Sequence, residues 1–149
     1  MPPDSITLTS AEATEIAWLE ALLETNDLPN RNLRSGLGQF FIARAGTDRI
    51  GGGGLESYGS NALLRSVVIA APHRGQGYGV ALCDALEARA RTNGVETLYL
   101  LTTTADAFFR ECGYDEIDRE VVPPEIQETS EFADLCPQSA ICMRKSLEN

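Results

Sequence analysis

Apolar residues recur along this chain at two different spacings. Ile16, Leu19, Leu22 and Leu23 repeat as one face of a helix, and Thr9-Ser10-Ala11-Glu12 before them offers Ser10 as an N-cap. This predicts a first helix ending near Asp27-Leu28-Pro29. Gln39 to Arg44 reads as a strand, and Thr47-Asp48 as a turn into a second strand from Ile50 to Leu55. The glycines from Gly51 to Gly54 weaken that strand but admit a bulge or a close backbone approach. Ala62 to Ala70 is a strongly apolar strand. Gly79 to Asn93, with Leu82, Leu86 and Ala90 on one face, is a helix stopped by Gly94. Thr97 to Thr103 predicts a strand, Ala105 to Cys112 a short helix and Tyr114 to Asp118 another strand. Pro123 opens a helix running towards Leu135, and Ala140 to Arg144 closes the chain as a strand.

The alternation of strands and helices, with no repeat and no internal boundary, predicts one α/β domain over residues 1–149. A chain of 149 residues with 43% hydrophobic and 23% charged residues can bury a core without disulfides. No run approaches the roughly 18 apolar residues of a membrane span, and the N-terminus lacks a basic stretch followed by an apolar one. Cys83, Cys112, Cys136 and Cys142 are not arranged in zinc-binding pairs, so no metal is expected and a reducing cytoplasm is the expected setting. The net charge of −10, with Lys145 the one lysine among 12 basic residues, argues against nucleic acid as a partner.

The candidate chemistry centres on Arg74-Gly75-Gln76-Gly77-Tyr78-Gly79, between a strand and a helix. Glycines let the backbone approach a diphosphate, and the first amides of the helix are free to donate to its oxygens. A P-loop would need Lys followed by Ser or Thr after the last glycine, but Val80-Ala81 follow. A dinucleotide fingerprint would need GxGxxG rather than Gly75-x-Gly77-x-Gly79. A structural glycine turn is the remaining alternative.

The flanks add a resemblance. Val67-Val68-Ile69 precedes the loop, and Ala105-Asp106-Ala107-Phe108-Phe109-Arg110-Glu111-Cys112-Gly113-Tyr114 follows it; together they resemble the core of the GCN5-related N-acetyltransferase (GNAT) family. The resemblance implies a single domain whose central, mostly antiparallel mixed sheet is flanked by helices and splayed at its middle strands. Acetyl-CoA would insert there as cosubstrate. Val67, Val68 and Ile69 would bond the pantetheine like an added strand, Gln76 to Gly79 of the cofactor-binding loop Arg74 to Gly79 would hold the pyrophosphate, and Phe108 and Phe109 would line the cleft. An amide near Ile69 would stabilise the developing oxyanion.

The acceptor implied is a small amine or an amino-acid-like molecule. An alkylammonium with a pKa of about 10.4 must lose a proton before it attacks a thioester, and Glu56 is the candidate base, against a solvated loop carboxylate. His73, the one histidine, reads more readily as a surface residue. Arg65 and Ser66 are candidate acceptor contacts, as are Asn30 and Arg31, with Asn32 beside them. Phe109 stands where many relatives carry a tyrosine acid, and Thr102 where many carry Asn. Departure of an unprotonated thiol of pKa near 8.5 costs about 2 kcal/mol at pH 7, which an enzyme can bear, with Tyr114 or a water as a substitute acid.

Leu64-Arg65-Ser66, Thr102-Thr103-Thr104 and the tail from Glu131 to Met143 resemble the subgroup encoded with arsenic-resistance genes. That would imply an acceptor bearing an arsenic-containing or carboxylate group. Arsenic binding by Cys136 and Cys142 is set against both being small buried hydrophobes. A catalytically silent CoA-binding module and a protein or peptide N-acetyltransferase are the rival readings, and a homodimer is left open.

Overall fold

The computed structural model describes residues 6–25, 39–73, 77–102, 105–127 and 140–147. Its sheet comprises β1 (Thr7–Ser10), β2 (Gln39–Ala45), β3 (Asp48–Tyr58), β4 (Asn61–Ile69), β5 (Thr97–Thr102), β6 (Asp115–Glu116) and β7 (Ile141–Ser146). The helices are α1 (Ala13–Thr25), α2 (Tyr78–Thr92), α3 (Asp106–Glu111) and α4 (Pro124–Gln127). The strand order is β1-β2-β3-β4-β5-β7-β6, with β4 and β5 parallel and every other neighbour antiparallel.

The expected mixed, mostly antiparallel sheet is present, and so is its splay. β4 and β5 pair only over Asn61–Leu63 and Thr97–Tyr99, after which β4 runs on to Ile69 and β5 to Thr102 without further pairing between them. A bulge accompanies the parting. Between Gly52↔Val68 and Gly54↔Arg65, the residues Ser66 and Val67 oppose Gly53 alone, and Ser66 takes a left-handed φ of 60°. An inserted residue bends and twists its strand, and here it also shifts the side-chain alternation. Leu64, Val67 and Ile69 turn to one face; Leu63, Arg65 and Val68 turn to the other.

α2 covers the first face. Leu82, Leu86 and Ala90 pack on Phe41, Leu55, Leu64, Leu98, Leu100 and Met143. On the second face, α1 covers one end with Leu19 and Leu23 on Phe40, Ile42 and Val68. α4 and the turn before it cover the other end, Ile126 and Val122 meeting Leu63, Tyr99 and Leu101. The glycines of β3 make room for this packing: a Cβ on Gly51 would lie 2.1 Å from the Val68 carbonyl oxygen, and one on Gly54 2.5 Å from the Phe40 ring.

Several boundaries differ from those expected. Ser10 is not an N-cap but the last residue of β1, and Ala11 N–H continues that pairing to the Phe40 carbonyl at 2.8 Å. The helix starts after Glu12, whose carbonyl accepts from Ile16 N–H at 2.8 Å. Glu15 reaches back to the Glu12 N–H at 3.1 Å, half of a capping box. The turn before β3 is Gly46-Thr47 rather than Thr47-Asp48, β3 extends on to Tyr58, and the strand expected over Tyr114 to Asp118 shrinks to Asp115–Glu116. The helix end near Asp27 to Pro29 and the extension of α4 towards Leu135 lie outside the described residues.

Candidate active site

The opening between β4 and β5 leads to the start of α2. Gly77 caps that helix with φ 85°, a left-handed conformation suited to glycine, and no side chain caps the helix there. The first amide to bond inside the helix is Ala81 N–H, to the Gly77 carbonyl at 3.3 Å. The amides of Tyr78, Gly79 and Val80 precede it, at the positive end of the helix dipole. A Cβ on Gly79 would come within 3.0 Å of Phe108 Cε1, so the Phe108 ring lies across this first turn. His73 is half-buried beside it, edge-on to Tyr78 at 6.2 Å. Gly77, Tyr78, Gly79 and Phe108 thus lie together at the start of α2; Arg74, Gly75 and Gln76 fall outside the described residues.

Val67, Val68 and Ile69 turn their side chains into the cores on the two faces. What they offer the opening is backbone, since β3 pairs with one edge of this segment and the other edge borders the gap. Phe109 is 8% exposed, packed edge-on against Phe108 at 5.1 Å and Tyr114 at 5.6 Å in the core beneath α2. Tyr114, considered as a substitute acid, is buried among Glu87, Cys83, Cys112 and Lys145. Burial first, and then the Glu87 charge, push its phenol well above the ordinary range. Thr102 serves the local backbone, its Oγ1 accepting the Ala105 N–H at 3.0 Å to fix the turn into α3.

Glu56 sits on the second face, paired across β3 and β4 with Leu63, the residue at which β4 leaves β5. It is not a solvated loop carboxylate, being only 4% exposed. Arg65 Nη1 donates to its Oε2 at 2.8 Å, and Tyr58 Oη donates to its Oε1 at 2.9 Å. Arg65 stacks over the Phe40 ring at 5.6 Å, and its Nε donates to Ser66 Oγ at 3.3 Å. Burial, and then the hydrogen bond to Glu56, push the Tyr58 phenol up to about 12, so it stays protonated at neutral pH. Sequence reasoning missed Tyr58. The available signal was its position two residues from Glu56, which puts both on one face of β3.

Asn30, Arg31 and Cys136 lie outside the described residues. Cys142 is buried in the α4 cluster, where burial pushes its thiol up to about 11. Among the described residues no group of three or more His, Cys, Asp or Glu is placed to hold a metal ion. Nor is any described helix long and apolar enough to cross a membrane.

A mixed sheet parted at its parallel strands, with a glycine-capped helix start at the mouth of the gap, defines an acyltransferase type of fold. The sequence profile of the Acetyltransferase (GNAT) family matches residues 6–114, and the chain belongs to that family. A 52-residue stretch is 42% identical to mouse N-alpha-acetyltransferase 80, covering 35% of this chain and 17% of that protein. N-acetylglutamate synthase from Neisseria gonorrhoeae, solved with coenzyme A and N-acetyl-glutamate, superposes with a TM-score of 0.80 at 17% identity, over 97% of this chain and 35% of the synthase. The chain therefore spans about a third of that synthase's length. Rv2747 from Mycobacterium tuberculosis, solved with CoA, superposes with a TM-score of 0.77 at 22% identity, over 95% of this chain and 99% of the other.

Proposed function

We propose that the protein is an acetyl-CoA-dependent N-acetyltransferase acting on a small amine or amino-acid-like acceptor. The observation that carries this reading is a buried carboxylate, Glu56, one strand away from the point where β4 and β5 part. The described residues suit acetyl-CoA. Gly77 turns the chain into α2 with a left-handed φ of 85°, Gly79 leaves room for the Phe108 ring as a wall, and the amides of Tyr78 to Val80 beside it suit a pyrophosphate. Arg74, Gly75 and Gln76 complete the proposed loop, and the gap-side backbone of Val67 to Ile69 suits the pantetheine amides. Acetyl-CoA supplies the activated acetyl group as a thioester.

Glu56 takes the proton that an alkylammonium must lose. Arg65 orients Glu56 through its charge-assisted bond, while Ser66 at the bulge, with Asn30 and Arg31, contacts the acceptor. With phenylalanine at 109, the thiolate leaves without a side-chain acid there, at the modest cost set by its pKa. The described cysteines Cys83, Cys112 and Cys142 are free thiols, which suits a reducing cytoplasm. An arsenic-resistance role, with an acceptor that carries arsenic, is the narrower form of this proposal and rests on the tail and on Leu64-Arg65-Ser66.

An acceptor screen tests it. Thiol release from acetyl-CoA is followed with the common L-amino acids, simple alkylamines, an arsenic-bearing amino acid and short peptides with free N-termini. Turnover with an amino acid or small amine is expected. Turnover confined to peptides would favour a peptide N-acetyltransferase, and binding of acetyl-CoA without release under any condition would favour a silent module.

A further inference from the structure

We propose that Tyr58 meets the acceptor amine and relays its proton to Glu56, an inference that rests on the reading of Glu56 as the base. Both carboxylate oxygens of Glu56 are already engaged, Oε1 by Tyr58 Oη at 2.9 Å and Oε2 by Arg65 Nη1 at 2.8 Å. Glu56 is 4% exposed, whereas Tyr58 is only half-buried. Tyr58 also packs against the cluster that contains Leu63 and Tyr99, the last paired residues of β4 and β5. Tyr58 is the more exposed member of this pair, so the relayed proton reaches Oε1 by way of the phenol oxygen.

The overall reaction converts an ammonium and a thioester into an amide, a free thiol and one released proton. In the relay, an N–H bond of the ammonium breaks as its proton joins the Tyr58 oxygen, and the Tyr58 O–H bond breaks as that proton joins Glu56 Oε1. Tyr58 ends neutral, as it began. Glu56 holds the proton that the reaction later releases to solvent, and the amine keeps the lone pair that attacks the acetyl carbon. A second N–H proton ends on the departing thiol. The charged groups facing Tyr58 among the described residues are Glu56 on its own strand and Arg65 on β4. The phenol is protonated across the neutral range, so it can donate to Glu56 and accept from the amine together.

The test compares Tyr58→Phe, Glu56→Gln and the double variant, using acetyl-CoA with L-glutamate or the amine that turns over fastest in the acceptor screen. Phenylalanine keeps the ring packing and removes one hydroxyl. A relay predicts that each single variant loses about 10²-fold in kcat/KM, that the double variant is no worse than either, and that acetyl-CoA affinity is unchanged. It also predicts a curved proton inventory in the parent, from two protons in flight, that becomes linear in Tyr58→Phe. Tyr58→Phe within about twofold of the parent, while Glu56→Gln is crippled, would leave Glu56 as the base and remove Tyr58 from the path. Losses that multiply in the double variant, or a linear inventory in the parent, would also overturn the relay. A fully active Glu56→Gln would sink the reading of the base itself, whatever Tyr58→Phe does.

Discussion

Replacing Arg65 by methionine strips a buried carboxylate of its counter-ion. Arg65 and Glu56 have side-chain exposures of 1% and 5% and lie 2.8 Å apart, so neither can turn to water to recover what it loses. Removing one member of such a pair generally costs about 3 to 5 kcal/mol, because the other stays buried and charged. Tyr58 still donates to Glu56 Oε1 at 2.9 Å, which holds the expected loss near the lower end, about 3 kcal/mol. For a domain of this size that lowers Tm by roughly 10 °C. Methionine keeps much of the aliphatic volume over Phe40, so the loss is electrostatic rather than a cavity effect. Two controls isolate the cause. The double variant Arg65→Met/Glu56→Gln removes the charge as well as its partner and is expected to recover most of the loss. The loss is also expected to persist in high salt, since buried pairs are little screened. Urea melts of the parent and both variants, at low and high salt, give the values. An Arg65→Met protein within about 0.5 kcal/mol of the parent, or a loss that salt abolishes, would refute a dry Glu56–Arg65 pair.

Gly77→Val forces a β-branched residue to φ 85° at the head of α2, a strain of about 1 to 2 kcal/mol; calorimetry is expected to show acetyl-CoA binding at least tenfold weaker in a protein that still folds. Phe109→Tyr buries a hydroxyl beside Phe108 and Tyr114 in the core, so stability falls by about 1 to 3 kcal/mol and turnover does not rise; a tenfold gain would show that thiolate departure limits the native protein. Glu15 is held below its ordinary pKa of 4.5, first by the Glu12 N–H and then by Arg44. A lowered folded-state pKa stabilises above the unfolded value and the benefit fades as pH falls through the folded one, so thermal melts of Glu15→Gln and the parent should differ at about pH 7 and converge near pH 3.

The elements that dominate the core were legible because their apolar spacing is unambiguous. Leu82, Leu86 and Ala90 declared α2, and Leu63 to Ile69 declared β4. β1 was missed because Thr7 to Ser10 is a short polar edge strand whose partner begins at Phe41, far along the chain. The same pairing undid the Ser10 cap: a residue suited to capping is also suited to an edge strand, and only the sheet decides between them. At the site, the glycine loop before α2 was readable because its residue types suit a close backbone approach, although the helix starts at Tyr78 rather than Gly79. The Glu56–Arg65 pair was not. Its geometry depends on the register of β3 against β4, which the sequence of either strand does not state. The bulge at Ser66 was equally hidden, since a left-handed serine has no compositional mark, yet it is what turns Val67 away from Arg65's face.

The proposed CoA-binding gap and the proposed base, Glu56, would have to work together, and one paired measurement tests both halves. Acetyl-CoA affinity is measured by calorimetry, and thiol release together with acetylated acceptor is measured in a single reaction, for the parent and for Glu56→Gln. Equal amounts of thiol and acetylated amine are expected from the parent. For Glu56→Gln the expectation is unchanged acetyl-CoA affinity with turnover lower by about 10²-fold or more near neutral pH. Turnover within a fewfold of the parent and an unaltered acidic limb of the pH profile would contradict it, leaving the carboxylate as a structural partner of Arg65 and the proton's destination elsewhere.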